Sequence, residues 1–293
     1  MLSLAPFLYR HVSAEHRGPI AKVEADKVSL PNHPLYQANA YLRPDLNGGR
    51  PSTTVYGSAD GTGSSDNPAV AQHKAISEAL ERWAFMESAH AEPTRSKYCF
   101  DLDPTTNGMA AFPGFKHQAR KGARMEALER WAIISWWDGR LAAKVTRAPY
   151  LNVGMVRIEH DQDGEVVILY HKSAAGHVAY GHAAGSNLPS AAARAAIELA
   201  RSEYVIARYR ARGGLAKIGN FMERRAIHFS TPEGHSQFLE RVNSSPDKAA
   251  PQWKTRFDGE IEGPWSQFAT VWRHAVEMPT YEYLNPNNNF FLC

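Results

Sequence analysis

Three long stretches of the chain carry apolar residues at the three- and four-residue spacing of an amphipathic helix. The first begins at Pro68, where Asn67 supplies an N-cap and proline takes the first helical position. The second, HQARKGARMEALERWAIISWW, ends at the Asp-Gly pair 138–139. The third runs from near Pro189 to the Gly-Gly pair 213–214, since glycine commonly terminates a helix. The pattern therefore predicts three long helices.

Strand patterns accompany these helices. GMVRIEHD and EVVILYHK flank the turn residues 162–164 and predict a hairpin, and HVAYGHAAG predicts a third strand. Residues 44–67 are rich in Gly, Ser and Asp and predict an extended or looped segment, with a strand-like TTVYG at 53–57. PEGHSQFLERV predicts a short helix. Together these elements predict an α+β fold in which helices pack on a mainly antiparallel sheet.

The length of 293 residues and the hydrophobic content of 43% suit one large domain or two small ones. We predict a single domain over residues 1–293. We expect residues 215–293 to form its C-terminal extension.

Charge and cysteine content exclude several classes of protein. The 33 Lys and Arg against 30 Asp and Glu leave a net charge of +3, and the basic residues are interspersed with apolar ones, so nucleic-acid binding is disfavoured. The two cysteines exclude a disulfide framework and a Cys/His zinc site of the usual spacing. Because there is neither a signal peptide nor a long apolar span, we expect a cytoplasmic protein that does not bind membranes.

The heptapeptide EALERWA occurs at 78–84 and again at 126–132, which indicates internal duplication or a shared structural demand. In each copy two glutamates lie three residues apart, on one face of a helix. An amphipathic helix with a solvated Glu/Arg face explains a single copy as well. The third helix, however, also carries an Arg and a Glu four apart, Arg194 and Glu198, in an Ala-rich run. Carboxylates from three helices would form an oxygen-rich site suited to Mg²⁺, which commonly joins carboxylates to nucleotide phosphates.

The order of these motifs resembles the YcaO family. Its members have a Gly-rich loop before a Ser/Glu/Glu-Arg helix, a second helix with Glu-x-x-Glu-Arg followed by aromatics, and a third helix with Arg-x-x-x-Glu after a Gly-rich strand end. Here GTGSSDNPAVAQHKAISEALERW, ARMEALERWAIISWW and HAAGSNLPSAAARAAIELARSE match in order and spacing. The resemblance covers a motif-bearing part at about residues 55–210. The absence of a Walker sequence is consistent with this family and argues against an ordinary P-loop enzyme.

The resemblance implies an α+β fold, ATP and Mg²⁺ as cofactors, and two sets of site residues, but no catalytic side chain by number. The implied metal ligands are Glu78, Glu81, Glu126, Glu129 and Glu198. The implied nucleotide-binding residues are Gly61, Gly63, Lys74, Arg82, Arg130, Arg194 and Arg201. In this reading the glycines let the backbone approach the nucleotide, and guanidinium groups contact phosphate.

Three positions depart from the family's pattern. Lys74 replaces a serine, Thr62 lies between the two loop glycines where a lysine is common, and Arg201 replaces a glutamine. Either the loop lysine's charge has moved to Lys74, or ATP binding is weakened or lost.

By resemblance, the chain activates backbone amides of a ribosomally made precursor peptide with ATP, as a cyclodehydratase or a related enzyme, giving an azoline, a thioamide or an amidine. The precursor peptide, a leader-recognition or dehydrogenase partner protein, and a second copy in a homodimer are the expected partners. The alternative is a non-catalytic scaffold of the same fold that binds a peptide or a partner protein.

Overall fold

The structure is a computed structural model that describes residues 4–29, 34–48, 53–213 and 218–292. The chain forms two compact units. Unit 1 contains the described residues of 4–48, 58–127 and 255–277, and unit 2 contains those of 53–57, 128–254 and 278–292. None of the described helices is long and apolar enough to cross a membrane.

Unit 1 is built on two three-stranded antiparallel sheets. Strands β1 (Ile20–Ser29), β2 (Pro34–Leu42) and β3 (Gly61–Ser65) form the first sheet in that order. The second has the order β4 (Met109–Phe112), β10 (Thr270–Val276), β9 (Thr255–Glu260). The unit also contains the short helices α1 (Ala5–Leu8) and α3 (Thr94–Lys97) and the long helix α2 (Pro68–Ala89). Helix α2 packs on β2 and β3, and its alanines and leucine lie in the core of the unit.

Unit 2 is built on a four-stranded antiparallel meander of β5 (Ala143–Arg147), β6 (Gly154–Ile158), β7 (Glu165–Lys172) and β8 (Val178–Gly185). Helix α5 (Leu188–Ala211) packs on β7 and β8. Helices α6 (Phe221–Phe229) and α7 (Pro232–Asn243) pack on each other. Helix α4 (Lys116–Trp137) begins in unit 1 and ends in unit 2, where its last turns meet the aromatic cluster around Phe238 and Phe291.

The predicted α+β class is confirmed, since every ladder between the named strands is antiparallel and long helices cover the sheets. The three predicted long helices are present, with Asn67 capping the first through Ala69 and Val70. The predicted hairpin is the β6–β7 pair, and the third strand is β8. Gly213 follows the third helix in a left-handed conformation, whereas Gly214 lies outside the described residues.

The strand-like reading of TTVYG is wrong, because Thr54, Val55 and Tyr56 form bends and the residues on either side belong to no strand. Their backbone N–H groups have another acceptor: Thr54, Val55 and Tyr56 all donate to the carboxylate of Glu223, at 2.8 to 3.0 Å. Glu223 is only 1% exposed, so the loop wraps around a buried anion. The glycine-containing strand of this region is instead β3.

Residues 215–293, predicted as a C-terminal extension, contribute to both units. Strands β9 and β10 complete the second sheet of unit 1, and residues 278–292 belong to unit 2. The single-domain organisation stays a prediction.

Candidate functional site

The first part of the candidate site is the corner where β3 turns into α2. Gly61 and Gly63 face the helix so closely that a Cβ on Gly61 would lie 2.1 Å from the carbonyl oxygen of Ala75, and one on Gly63 would lie 2.1 Å from that of Ala71. Only glycine permits this approach of strand to helix. These glycines are therefore required by packing inside unit 1, and their predicted contact with a nucleotide stays a prediction.

Two charged side chains of α2 reach back to β3. The ammonium group of Lys74 donates to the carbonyl oxygen of Ser64 at 2.9 Å. The carboxylate of Glu78 accepts from both the backbone N–H and the hydroxyl of Thr62, each at 3.1 Å. Arg82, one turn further along the helix, lies 3.6 Å from the other oxygen of Glu78. The corner thus presents a cation and a carboxylate beside the edge strand β3.

Glu81 lies beside Glu78 and is half-buried. Burial raises the pKa of its carboxyl group to about 8, and the negative charge of Glu78 adds to this, although Arg82 and a hydrogen bond with the backbone of Ala111 lower it. At neutral pH Glu81 is therefore mostly protonated. Two adjacent carboxyl groups, of which one holds a proton, form an oxygen pair that a divalent cation can occupy after that proton has left.

Unit 2 repeats this corner with a constant offset in residue number. A Cβ on Gly181 would lie 2.3 Å from the carbonyl oxygen of Ala195 and 2.1 Å from the backbone nitrogen of Leu199. The same two positions 120 residues earlier, 75 and 79, meet Gly61. The matched pairs, each 120 residues apart, are Gly61 and Gly181, Ser64 and Ala184, Asn67 and Asn187, Ala71 and Ala191, Lys74 and Arg194, and Glu78 and Glu198. The strand, the Asn cap and the helix are thus repeated as one structural element.

The cations of the two corners make the same contact. A guanidinium nitrogen of Arg194 donates to the carbonyl oxygen of Ala184 at 2.8 Å, as Lys74 does to Ser64. The carboxylates differ, because Glu198 is exposed and forms an ion pair with Arg201 at 2.8 Å. Arg194 and Glu198, which lie four residues apart on α5, therefore have separate partners.

The second EALERWA copy lies on α4, where its glutamates have different surroundings. Glu126 is half-buried, whereas Glu129 is 7% exposed, with one oxygen 2.9 Å from Nδ1 of His182 and the other accepting from the backbone N–H of Ala184 at 3.1 Å. Burial alone would raise the pKa of Glu129, but His182, Arg130 and Arg194 lower it to about 2. Glu129 is therefore ionised, and its hydrogen bonds connect α4 to β8. Metal binding by Glu129 stays a prediction and would require exchange of these hydrogen bonds.

The three helices share one register. Glu78, Glu126 and Glu198 each lie ten residues after the first residue of their helix, which is Pro68, Lys116 and Leu188. The heptapeptide copies, however, lie 48 residues apart on α2 and α4, whereas the strand–helix corners are 120 residues apart and relate α2 to α5. Internal duplication and a shared structural demand therefore both remain open for the heptapeptide.

Comparisons with known proteins agree with this architecture at the level of structure. No family model matches the sequence, and no curated protein matches it either. A chain of the E. coli microcin synthetase McbBCD complex, solved with pro-MccB17 bound, is 11% identical with a TM-score of 0.56, over 87% of this chain and 86% of that one. The YcaO protein of Methanopyrus kandleri, solved with AMPPCP and Mg²⁺, is 15% identical with a TM-score of 0.53, over 91% and 88%. The chain has the YcaO fold. The family resemblance of the sequence is thereby confirmed in the fold.

Several side chains described above are of types that could bind Mg²⁺ or phosphate. Glu78 and Glu81 offer hard oxygen ligands within unit 1. On α4, the buried Nε of Arg130 makes no hydrogen bond with the described residues, although it lies 4.0 Å from a carboxylate oxygen of Glu129. No group of three or more His, Cys, Asp and Glu side chains in the described part of the chain is arranged to hold a metal ion by itself. Mg²⁺ usually takes one or two carboxylates and completes its shell with water and phosphate.

Sequence reasoning missed His182, which orients Glu129, and the backbone carbonyls that hold the two cations. His182 occupies the position in β8 that Thr62 occupies in β3, with the same 120-residue offset. The repeat does not predict the partner of His182, because Thr62 contacts Glu78 of α2 whereas His182 contacts Glu129 of α4.

Proposed function

We propose that the chain activates backbone amides of a ribosomally made precursor peptide with ATP and Mg²⁺. One observation carries the proposal: about nine tenths of the chain share their fold with a protein solved with AMPPCP and Mg²⁺. Glu78 and Lys74 of α2 contact β3, and Arg194 of α5 contacts β8, so a carboxylate and two cations are available at strand–helix corners, which supports the same use here.

When bound, magnesium ATP would supply the phosphoryl group that converts the amide oxygen into a phosphate leaving group. Glu78 and Glu81 would bind the metal, with the predicted ligands Glu126, Glu129 and Glu198 as further candidates. Lys74 of α2 and Arg194 of α5 each donate to a carbonyl oxygen near the end of a strand, where a positive charge can offset that of phosphate oxygens. Arg82, Arg130 and Arg201 are the remaining candidate phosphate contacts, and Gly61 and Gly63 keep β3 close to α2.

The reacting nucleophile decides the product. A Cys, Ser or Thr side chain of the peptide gives an azoline, external sulfide a thioamide, and an amine an amidine. In each case the nucleophile adds to the amide carbon, the amide oxygen takes the phosphoryl group, and the C–O bond breaks as phosphate leaves. We propose cyclodehydration, because the McbBCD structure holds pro-MccB17 within a complex of several proteins. By the same likeness we propose a leader-recognition or dehydrogenase partner. The expected homodimer stays a prediction.

Thermal shift and ADP release test this function. At about 100 times Kd, AMPPCP with Mg²⁺ should stabilise the protein by about 2.7 kcal/mol, and neither component alone should do so. Glu78→Gln should remove the shift and abolish ATP turnover, since it deletes an anionic ligand but keeps the side-chain volume. Glu87→Gln is the matched control, because Glu87 is exposed on the same helix. An equal shift in wild type and Glu78→Gln would refute the metal assignment.

The second candidate function is a non-catalytic scaffold that binds a peptide or a partner protein. Glu198 is ion-paired with Arg201, and Glu129 is fully engaged with β8, so two of the predicted ligands already have internal partners. Peptide binding without any nucleotide-dependent shift would establish this alternative.

A further inference from the structure

Unit 1 contains a pocket that none of the predicted nucleotide or metal residues lines. It is an open cavity of about 290 Å³. Basic side chains form its rim and aromatic ones its floor, and no described aspartate or glutamate lines it. The residues that matter for its chemistry are His11, His16, Arg17, Arg43, Trp83 and Phe268.

The rim of the pocket is held in a fixed shape by its own backbone. The loop from Ser13 to Gly18 is closed by hydrogen bonds from Gly18 to Ser13 at 2.8 Å and from Arg17 to Ala14 at 2.9 Å. A Cβ on Gly18 would lie 2.1 Å from the carbonyl oxygen of Val12, so the loop can close this tightly only with glycine there. Arg17 itself has a left-handed backbone with a φ of 63°. A non-glycine residue held in this region often serves a function.

Of the two arginines at the rim, one is neutralised by a carboxylate of the protein and the other is not. The Arg17 guanidinium is exposed and has no hydrogen-bond or ion-pair partner among the described residues. Arg43 forms a forked pair with the exposed Asp45, at 2.7 and 3.1 Å. The rings of His11 and His16 meet edge to face, 5.4 Å apart, and add polar imidazole edges to the same rim. Arg17 therefore remains as an unpaired cation at the entrance.

The floor of the pocket is apolar. Trp83 and Phe268 are each 7% exposed, and the Trp83 ring packs edge to face on Trp265 at 5.5 Å. A ligand that contacts only the arginines would leave this surface uncovered. The pocket therefore suits a ligand with carboxylates and an apolar group close together.

We propose that this pocket binds an acidic peptide segment with a leucine- or phenylalanine-like side chain, which enters the floor while its carboxylates meet Arg17 and Arg43. The inference deepens the proposed function, because it names the class of peptide segment that unit 1 recognises. Trp83 is five residues beyond Glu78 on α2 but on a different face of the helix, so the pocket would hold the peptide away from the reacting amide. Positive charge at the rim also speeds the encounter with an acidic partner.

Fluorescence anisotropy with three pools of labelled octapeptides tests the proposal on the full chain without nucleotide. One pool alternates Asp or Glu with Leu or Phe, the second replaces the acids by Lys or Arg, and the third replaces the apolar residues by Ser or Gly. The first pool should bind at least tenfold more tightly than either other pool. The double change Arg17→Asn and Arg43→Gln should reduce that binding at least tenfold and weaken its dependence on salt. Asn is chosen because it tolerates the left-handed backbone.

Lys121→Gln is the matched control, since Lys121 is exposed and lies outside the pocket. Equal binding of the first and second pools, or unchanged binding in the double variant, would overturn the inference. Equal binding of the first and third pools would mean a plain anion site and would also overturn it. The proposed function is judged separately: loss of the nucleotide-dependent shift with retained peptide selectivity would overturn only that function.

Discussion

Glu81 is a carboxyl group whose surroundings favour its protonated form. Its carboxyl group is half-buried and lies beside Glu78, and together these effects raise its pKa to about 8. A structural role would be better served by a neutral side chain of the same shape. The cost of ionising Glu81 is therefore most easily understood if a cation compensates it.

Glu81→Gln should separate these roles through pH. Between the ordinary carboxyl pKa and about 8, the folded chain binds a proton at Glu81 that the unfolded chain has lost, so the contribution of Glu81 to the free energy of unfolding falls as pH rises. In a metal chelator, the variant should therefore melt above wild type at about pH 9, and the difference should disappear near pH 4. The variant should also lose the AMPPCP–Mg²⁺ shift. A melting difference that is constant over this range would contradict the raised pKa.

Lys74 and Arg194 occupy equivalent positions in the two strand–helix corners, one as a lysine and the other as an arginine. Both donate to a backbone carbonyl at the end of a strand, at matching places in the two units. Lys74→Ala should weaken ATP binding about tenfold, which is 1.4 kcal/mol, and Lys74→Arg should restore most of it. Melting temperature should change little, because the side chain is exposed. Titration calorimetry would measure the affinities, and equal values for wild type and Lys74→Ala would show that this cation does not meet the nucleotide.

At the scale of elements, the strand–helix corner is the repeated structural unit, and glycine makes it possible. Alanines of the helix lie directly against the strand backbone, so no side chain fits between Gly61 and α2 or between Gly181 and α5. Such contact positions a charged residue of the helix within reach of a strand carbonyl. The chemistry of the site therefore depends on this packing.

Gly61→Ala and Gly181→Ala should each destabilise the protein by about 3 kcal/mol, since the new methyl group would lie 2.1 to 2.3 Å from backbone atoms of the helix. Chemical denaturation would measure the loss. Gly57→Ala is the control, because nothing lies within 4 Å of its added Cβ. A variant at position 61 that is as stable as the control would mean that strand and helix can separate without cost.

The elements that the sequence predicted are those with strong local patterns. The three long helices, the β6–β7 hairpin and β8 show their periodicity within a single stretch of chain. Strand β4 has four residues and pairs with β10, more than 150 residues later, so its register depends on contacts that no local pattern contains. Strand β1 carries alternating charged residues and is partly exposed, which makes it resemble a loop.

The same limit applies to the candidate site. The spacing of Glu78 and Glu81 predicted that the two would be neighbours, because helix geometry alone brings them together. That Glu129 meets His182 depends on how α4 lies on β8, which helical spacing does not determine. Sequence therefore identified the carboxylates but not the partners that distinguish them.

At the scale of the whole molecule, the C-terminal third of the chain is part of the scaffold that carries the motifs. Strand β10 lies between β4 and β9, and Val271, Trp265 and Phe268 are buried in the same core as α2. The buried guanidinium of Arg273 donates to the backbone carbonyls of Asp103 and Thr105, which fixes the loop before β4. The fold of the motif-bearing residues 55–210 therefore depends on a segment that follows them in the sequence.

A chain that ends at residue 213 should consequently fail to fold, although it keeps every predicted site residue. It would expose the core face of α2 in unit 1 and the aromatic cluster of α4 in unit 2, and it would leave β4 without its neighbour β10. Circular dichroism and thermal melting should show no cooperative transition for this fragment, whereas the full chain melts cooperatively. Co-expression of residues 218–293 as a separate chain should restore a cooperative complex, because the missing surfaces are then supplied in trans. A fragment that melts cooperatively and binds AMPPCP with Mg²⁺ by itself would instead show that residues 215–293 are a true extension, dispensable for both fold and site.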